Sequence, residues 1–146
     1  MPDYERNEKR QLLYVAGPVL RSGLLAEDLN NLDVLYGRIE SWCQSRHIDV
    51  ILPRETPEFE QITPREFVKL ISDLIDAASC VLAVLVVPGA SAGGEAVWAA
   101  NRGKPLGVLM PPGKRVPRLL AGQESFRGSG TPGTLELLLD RLIGTP

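Results

Sequence analysis

One stretch of sequence decides the fold of this chain. It reads Cys80-Val-Leu-Ala-Val-Leu-Val-Val87, Pro88-Gly-Ala-Ser-Ala-Gly-Gly94, Glu95-Ala-Val-Trp-Ala-Ala-Asn-Arg-Gly103, then Lys104-Pro105 and Leu106-Gly-Val-Leu-Met110. Its first eight residues are all apolar, which is typical of a strand buried on both faces of a parallel sheet. The Ala-rich segment predicts a helix that ends at Gly103 and precedes a second apolar strand. The stretch therefore predicts a βαβ unit.

Glu95 is placed by this prediction in the first turn of the helix, directly after Gly93 and Gly94. A glycine-containing loop that leads into a helix presents free backbone N–H groups and the positive end of the helix dipole. A glutamate there has an ordinary structural role, because its charge offsets the dipole. Open α/β sheets also bind their ligands at the carboxyl ends of central strands, which makes Glu95 a candidate functional residue.

Length and composition restrict the class of protein. The 146 residues form one domain, residues 11–146, after a polar segment, residues 1–10, that we expect to be flexible. A formal charge of −2 without a basic block gives no electrostatic case for a nucleic acid or an acidic membrane as partner. The N-terminus lacks a signal-type apolar core and no apolar run approaches 18 residues, so we expect a soluble cytoplasmic protein.

Few residues are suited to metal or disulfide chemistry. Cys43 lies in a predicted helix and Cys80 opens a buried strand, so we expect both to be small core residues. The single histidine, His47, follows a helix and is expected at the surface or as part of the helix cap. Since no set of metal ligands exists, the sequence predicts neither a metal nor another cofactor.

Strands and helices alternate along the rest of the chain. Strands are predicted at 11–16 and 48–52, with a helix over 25–46 between them. Leu35 and Trp42 add a second apolar line to that helix, which either widens the core contact or forms a subunit interface.

The next helix begins at Thr63-Pro-Arg-Glu66, where an N-cap, a proline at the first helical position and a capping-box Glu coincide. Its expected buried face consists of Phe67, Leu70, Ile71, Leu74 and Ala78. After the central unit we predict an edge strand at 123–127, a flexible segment at 128–133 and a last helix that begins at Thr131-Pro132.

This alternation predicts an α/β fold with a single doubly wound parallel sheet, flavodoxin- or Rossmann-like, in the order 2-1-3-4 with the edge strand last. The order reverses between the strands at 11–16 and 80–87, so the loops 17–23 and 88–94 face each other across a crevice. The predicted site therefore consists of Gly17, Arg21, Ser22, Ser91, Gly93, Gly94 and Glu95.

Two segments resemble the nucleoside 2-deoxyribosyltransferase superfamily, which includes the 2′-deoxynucleoside 5′-phosphate N-hydrolases and related nucleotide N-glycosidases. Tyr14-Val-Ala-Gly17-Pro18 is similar to the Tyr-x-x-Gly-(Pro/Ser) start of these proteins. Residues 78–105 resemble their buried strand, small-residue loop, Glu, Ala-rich helix and Gly-Lys-Pro. Pro88 and Lys104 keep the family spacing to Glu95.

The resemblance implies an N-glycosidase or deoxyribosyltransferase-like enzyme that cleaves the N-glycosidic bond of a nucleoside or nucleoside 5′-monophosphate. Glu95 is then the nucleophile, and Tyr14 helps to shape the sugar or base pocket. The second catalytic carboxylate of the family falls on Ile71 without gaps. It falls on Asp73 when the junction between helix and strand is shortened by two residues.

The family's phosphate ligands are matched in part. The serine that follows the loop proline in the hydrolases is Gly89 here, with Ser91 two residues further on. The resemblance implies that Arg21, Ser22 and the backbone at 92–94 take a 5′-phosphate when the ligand has one.

Two other functions stay open from the sequence. Related Rossmann-like sensor domains bind nucleotide derivatives without catalysis, and a Glu after a buried strand also occurs in Toll/interleukin-receptor-like domains with NAD glycohydrolase activity. The expected partner in every case is a small nucleoside or nucleotide. We also expect a homodimer or larger homo-oligomer, because a neighbouring subunit completes the pocket in the resembled family.

Overall fold

The computed structural model describes residues 10–20, 24–54, 61–87 and 90–144. Within these ranges five parallel strands form one sheet in the order β2-β1-β3-β4-β5. The strands are β1 (Leu12–Ala16), β2 (Asp49–Ile51), β3 (Cys80–Val84), β4 (Leu106–Leu109) and β5 (Phe126–Gly130). The helices are α1 (Ala26–Ser45), α2 (Pro64–Ala77), α3 (Ala90–Asn101), α4 (Arg118–Ala121) and α5 (Leu135–Ile143), the last preceded by a 3₁₀ turn (Pro132–Thr134).

The predicted doubly wound sheet is confirmed. β1 pairs with β2 on one side and with β3 on the other, so the strand order reverses between β1 and β3. Helices α1 and α5 pack on one face of the sheet, and α2, α3 and α4 pack on the other. The carboxyl ends of β1 and β3 therefore lie at the switch point, as the sequence predicted.

Capping interactions set the beginning of α2 as the sequence indicated. Thr63 Oγ1 accepts a hydrogen bond from the Glu66 backbone N–H at 3.1 Å, and Glu66 Oε1 accepts one from the Thr63 N–H at 3.3 Å. At the end of α1, exposed His47 adopts a left-handed conformation with φ 57°, which reverses the chain toward β2.

The second apolar line of α1 belongs to the core. Leu35 and Trp42 are only 4% and 6% exposed, because α5 packs beside α1 and covers that flank. The line thus gives no support to a subunit interface. The buried face of α2 differs from the prediction: Ile71 and Ala78 are buried as expected, and Ile75 is buried although it was not predicted. Leu70 and Leu74 are only half-buried, and Phe67 is 39% exposed.

The end of the sheet also differs from the prediction. The last strand is Phe126–Gly130 rather than 123–127, so half of the segment expected to be flexible, 128–133, is paired with β4. Its glycines permit close packing of α5. A Cβ added at Gly128 would lie 2.7 Å from Arg141 Nη1, and one added at Gly130 would lie 2.9 Å from Thr134 Oγ1. No helix in the described ranges is long and apolar enough to span a membrane.

Candidate active site

A hydrogen-bonded pair, Tyr14 and Glu95, lies at the centre of the candidate site. Tyr14 is in the middle of β1, and its hydroxyl donates to Glu95 Oε1 at 2.6 Å. Tyr14 is buried and Glu95 is half-buried. No other described residue donates a hydrogen bond to Glu95, so Tyr14 is its one donor within the part of the chain that the structure describes. The structure thus joins two predicted site residues that are far apart in the sequence.

The position of Glu95 within its helix differs from the prediction. Helix α3 begins at Ala90, so Glu95 lies in its second turn, and Gly93 and Gly94 are helical residues rather than part of the preceding loop. The dipole effect is strongest in the first turn, so it gives the Glu95 carboxylate little support. No described residue outside the helix lies within 4 Å of a Cβ added at Gly93 or Gly94, so the described structure leaves the helix surface beside Glu95 uncovered.

Burial and hydrogen bonding act in opposite directions on Glu95. Burial, the larger effect, raises the pKa of its carboxyl group, and the hydrogen bond from Tyr14 lowers it. The net result is a pKa above the ordinary value. Burial followed by the charge of Glu95 also raises the pKa of Tyr14, which keeps the hydroxyl protonated as a donor. The pair is therefore a carboxyl group with a fixed hydrogen-bond donor and a reduced tendency to ionise.

A second tyrosine, Tyr36 on α1, reaches the same end of β1 from the opposite face of the sheet. Its hydroxyl donates to the Pro18 carbonyl oxygen at 2.7 Å. Burial, and then the charge of Glu95, raise the pKa of Tyr36 as well. Sequence reasoning missed this residue, because the helical pattern only placed Tyr36 on the buried face of α1.

The candidate acid, Asp73, is not brought to Glu95. Ile71 and Ile75 point into the core, and Asp73 lies two residues from each of them, which places it on the opposite face of α2. Its side chain is exposed, and no hydrogen bond or ion pair joins it to Glu95. The inward position is taken by Ile71, which packs in the same cluster as Tyr14.

Several predicted ligand residues lie outside the described residues. These are Arg21, Ser22 and Gly89. Ser91 is in the first turn of α3. Gly17 is described and buried, and it lies against Tyr36 and Val84.

A groove of about 430 Å³ lies elsewhere on the molecule. It is lined by α1, the segments that follow β3 and β4, and Pro132, and it includes neither Tyr14 nor Glu95. Its size alone is not an argument for function, and we assign the site to the Tyr14–Glu95 pair because the titratable groups converge there. Within the described ranges, no three His, Cys, Asp or Glu side chains are grouped closely enough to hold a metal ion.

Comparison with known proteins supports the fold. The structure is similar to that of the CMP N-glycosidase BcmB of Clostridium botulinum, with 16% sequence identity and a TM-score of 0.65, over 89% of this chain and 98% of that one. It is also similar to a 3-dehydroquinate dehydratase-like protein of Bifidobacterium longum, with 18% identity and a TM-score of 0.52, over 91% of this chain and 94% of that one.

No protein-family model matches the sequence, and comparison with curated proteins finds no significant match. The similarity to known proteins therefore lies in the three-dimensional arrangement of the elements. At the level of fold, this chain shares its α/β architecture with the two solved structures, and its sheet has the strand order that the sequence predicted.

Proposed function

We propose that this protein is an N-glycosidase that acts on a nucleoside or nucleoside 5′-monophosphate, with Glu95 as nucleophile. The observation that carries the proposal is the 2.6 Å hydrogen bond between Tyr14 and Glu95 at the switch point of the sheet. Similarity in fold to a CMP N-glycosidase agrees with this chemistry. The same scaffold also occurs in a dehydratase-like protein, so the argument rests on the site rather than on the fold.

The pair fits a displacement in two steps. The free oxygen of ionised Glu95 attacks the anomeric carbon, and the bond to the base nitrogen breaks with its electron pair leaving on the base, which takes up a proton. Water or a second base then attacks the same carbon and releases the carboxylate, which distinguishes hydrolysis from transfer. Tyr14 holds the other carboxylate oxygen throughout and thereby fixes the direction of attack.

The source of the proton on the leaving base requires a separate test. Retaining glycosidases use a second carboxyl group roughly 5 Å from the nucleophile. Asp73 stays the sequence candidate, although it faces away from the core, and the acidic segment 55–60 lies outside the described residues. Asp73→Asn separates these sources: loss of base release in a folded variant assigns the proton to Asp73, and retained activity directs the search to Glu55, Glu58 and Glu60.

Recognition of a 5′-phosphate is proposed for Arg21 and Ser22, with Gly89, Ser91 and the backbone of residues 92–94. The guanidinium group of Arg21 is suited to paired, charge-assisted hydrogen bonds to phosphate. Arg21→Ala should weaken the binding of a monophosphate by roughly 1.5–3 kcal/mol and leave the nucleoside unaffected, as measured by calorimetric titration. Equal losses for both ligands would exclude Arg21 and leave Lys114, Arg115 and Arg118 as candidates.

A non-catalytic nucleotide-binding module is the second candidate function. It is favoured by Ile71, which occupies the inward position where the resembled family has its carboxylate. The raised pKa of Glu95 agrees with it too, because a neutral carboxyl group is a poor nucleophile.

A panel of nucleosides, 5′-monophosphates including CMP, and NAD separates the two functions. We expect release of free base from at least one nucleoside or monophosphate by the wild-type protein, followed by chromatography. Saturable binding of the same compounds without base release would establish the binding module instead. Nicotinamide release from NAD alone would establish an NAD glycohydrolase.

A further inference from the structure

The geometry points to Tyr36 as a positioning residue that fixes the loop after β1 with respect to Glu95. This inference rests on the proposed function for its kinetic consequence. Tyr36 belongs to α1 and does not touch Glu95, so its effect is exerted through the backbone of Gly17 and Pro18.

The contact between Tyr36 and the loop is specific. Tyr36 is fully buried, and its hydroxyl is the hydrogen-bond donor to the carbonyl of buried Pro18. Without it this carbonyl would lose its partner in a place with little access to water.

Gly17 makes the contact close. A Cβ at this position would lie 2.6 Å from the Tyr36 hydroxyl oxygen and 3.2 Å from Val84 Cβ, so no larger residue fits without displacement. The backbone after β1 is thus clamped between α1 and the end of β3. Tyr14 lies on β1, three residues before Gly17, and its hydrogen bond to Glu95 links the carboxyl group to this fixed segment.

Two tyrosines from opposite faces of the sheet therefore act at the same end of β1, and only Tyr14 bonds to the carboxyl group of Glu95. Tyr14 and Tyr36 are the titratable side chains that the described structure places near Glu95, and the charge of Glu95 raises the pKa of both. Tyr14 acts on the carboxylate directly, whereas Tyr36 holds the backbone at Gly17 and Pro18 in place.

The test compares Tyr36→Phe with Ile39→Val, a control on the same buried face of α1 that destabilises the core without removing a polar contact. At a temperature where both variants are folded, Tyr36→Phe should lower kcat by about tenfold to a hundredfold with little change in KM. Ile39→Val should leave both constants unchanged. If Tyr36→Phe lowers Tm like the control but retains kcat, Tyr36 is only a core residue and the inference is overturned.

A second measurement needs no activity and so separates this inference from the proposed function. The titration of the Glu95 carboxyl carbon is followed by NMR in wild type and both variants. Because burial is the main cause of the raised pKa, loosening of the loop in Tyr36→Phe should move the midpoint to lower pH. If the wild-type protein releases no base, the proposed function fails and the titration midpoint alone tests the inference. A shift of the midpoint in Tyr36→Phe but not in Ile39→Val supports the role of Tyr36. Identical midpoints overturn it.

A double-mutant cycle tests the clamp itself. Gly17→Ala should lower Tm in the wild-type background and lower it less in the Tyr36→Phe background, because the clashing oxygen is then absent. Additive effects would show that the two residues do not act on each other, which would overturn the inference.

Discussion

At the scale of single residues, the balance of forces on Glu95 determines its chemistry. The carboxyl group is removed from water by the sheet and by α3, which favours the neutral form. One short hydrogen bond from Tyr14 opposes this effect by favouring the ionised form. A nucleophile must be ionised, so the proposed reaction depends on the Tyr14 hydroxyl.

Tyr14→Phe should therefore shift the pH dependence of base release. Loss of the donor raises the pKa of Glu95 further, so the acid limb of the pH–rate profile should move to higher pH. At neutral pH the rate should fall roughly tenfold to a hundredfold, as expected for loss of a hydrogen bond to a charged group. Steady-state rates over the pH range check this, with thermal unfolding as control for folding. An acid limb that stays in place would show that Tyr14 does not tune Glu95.

Glu95→Gln should change stability in a manner that depends on pH. The folded-state pKa of Glu95 is raised, so the native state binds the proton more tightly than the unfolded chain does. Its contribution to stability is therefore complete below the unfolded pKa and is lost as pH rises through the folded pKa. Glutamine keeps an acceptor for Tyr14 but never ionises.

The free energy of unfolding of Glu95→Gln, compared with that of wild type at the same pH, should accordingly be more favourable at neutral pH than at pH 4. Denaturant unfolding at both values measures the difference, and Glu66→Gln at the exposed N-terminus of α2 provides a carboxylate comparison. If Glu95→Gln changed the free energy of unfolding by the same amount at the two pH values, the raised pKa of Glu95 would be contradicted.

At the scale of secondary structure, the turn between α3 and β4 connects α3 to α2 through side-chain hydrogen bonds. Lys104 Nζ donates to the carbonyl oxygens of Asp76 and Ala78 at 2.9 and 2.8 Å, at the C-terminal end of α2. Arg102 also bonds to the Ser72 carbonyl and hydroxyl and stacks on Trp98. The Gly-Lys-Pro that contributes to the family resemblance has a structural explanation in this contact.

Lys104→Met should consequently reduce stability without affecting the site. We expect a loss of about 1–2 kcal/mol, because two charge-assisted hydrogen bonds disappear at a half-buried position. Denaturant unfolding gives the loss, and Lys69→Met on the exposed surface of α2 is the matched control. A loss of base release at full stability would instead place Lys104 in the catalytic machinery.

Helix and strand boundaries that depend on neighbouring residues in the sequence were predictable, and boundaries that depend on tertiary packing were not. The N-terminus of α2 follows from Thr63 and Glu66, which satisfy each other's backbone groups. The extension of α3 to Ala90 was missed, because glycines favour a loop in isolation while Gly93 and Gly94 are helical here. The strand Phe126–Gly130 was misplaced for the same reason, since its glycines serve the packing of α5.

At the scale of the whole molecule, the strand order followed from the alternation of buried strands and helices and from the handedness of crossovers. That order brings Tyr14 and Glu95 to one end of adjacent strands, so half of the site was predictable. The contact of Tyr36 with Pro18 and the outward direction of Asp73 were not, because both depend on how α1 and α2 are rotated about their axes.

The oligomeric state is a prediction for the whole molecule. We expect a homodimer or larger homo-oligomer, although Leu35 and Trp42 belong to the core and do not form its interface. On the first half of α2 the described chain exposes Val68, at 52%. Light scattering at micromolar concentration should give at least twice the mass of the chain, and Val68→Lys should shift the value toward one chain. A monomeric wild type would contradict the prediction.

The claim that Glu95 is the nucleophile is tested most directly by the rate of base release by Glu95→Gln. The measurement uses the best substrate of the wild-type panel, at a temperature where both proteins are folded. We predict that release by Glu95→Gln falls by at least about a thousandfold, because removal of an essential nucleophile leaves only residual rate acceleration. Release by folded Glu95→Gln at a rate close to wild type would contradict the claim and make Glu95 a binding or structural residue.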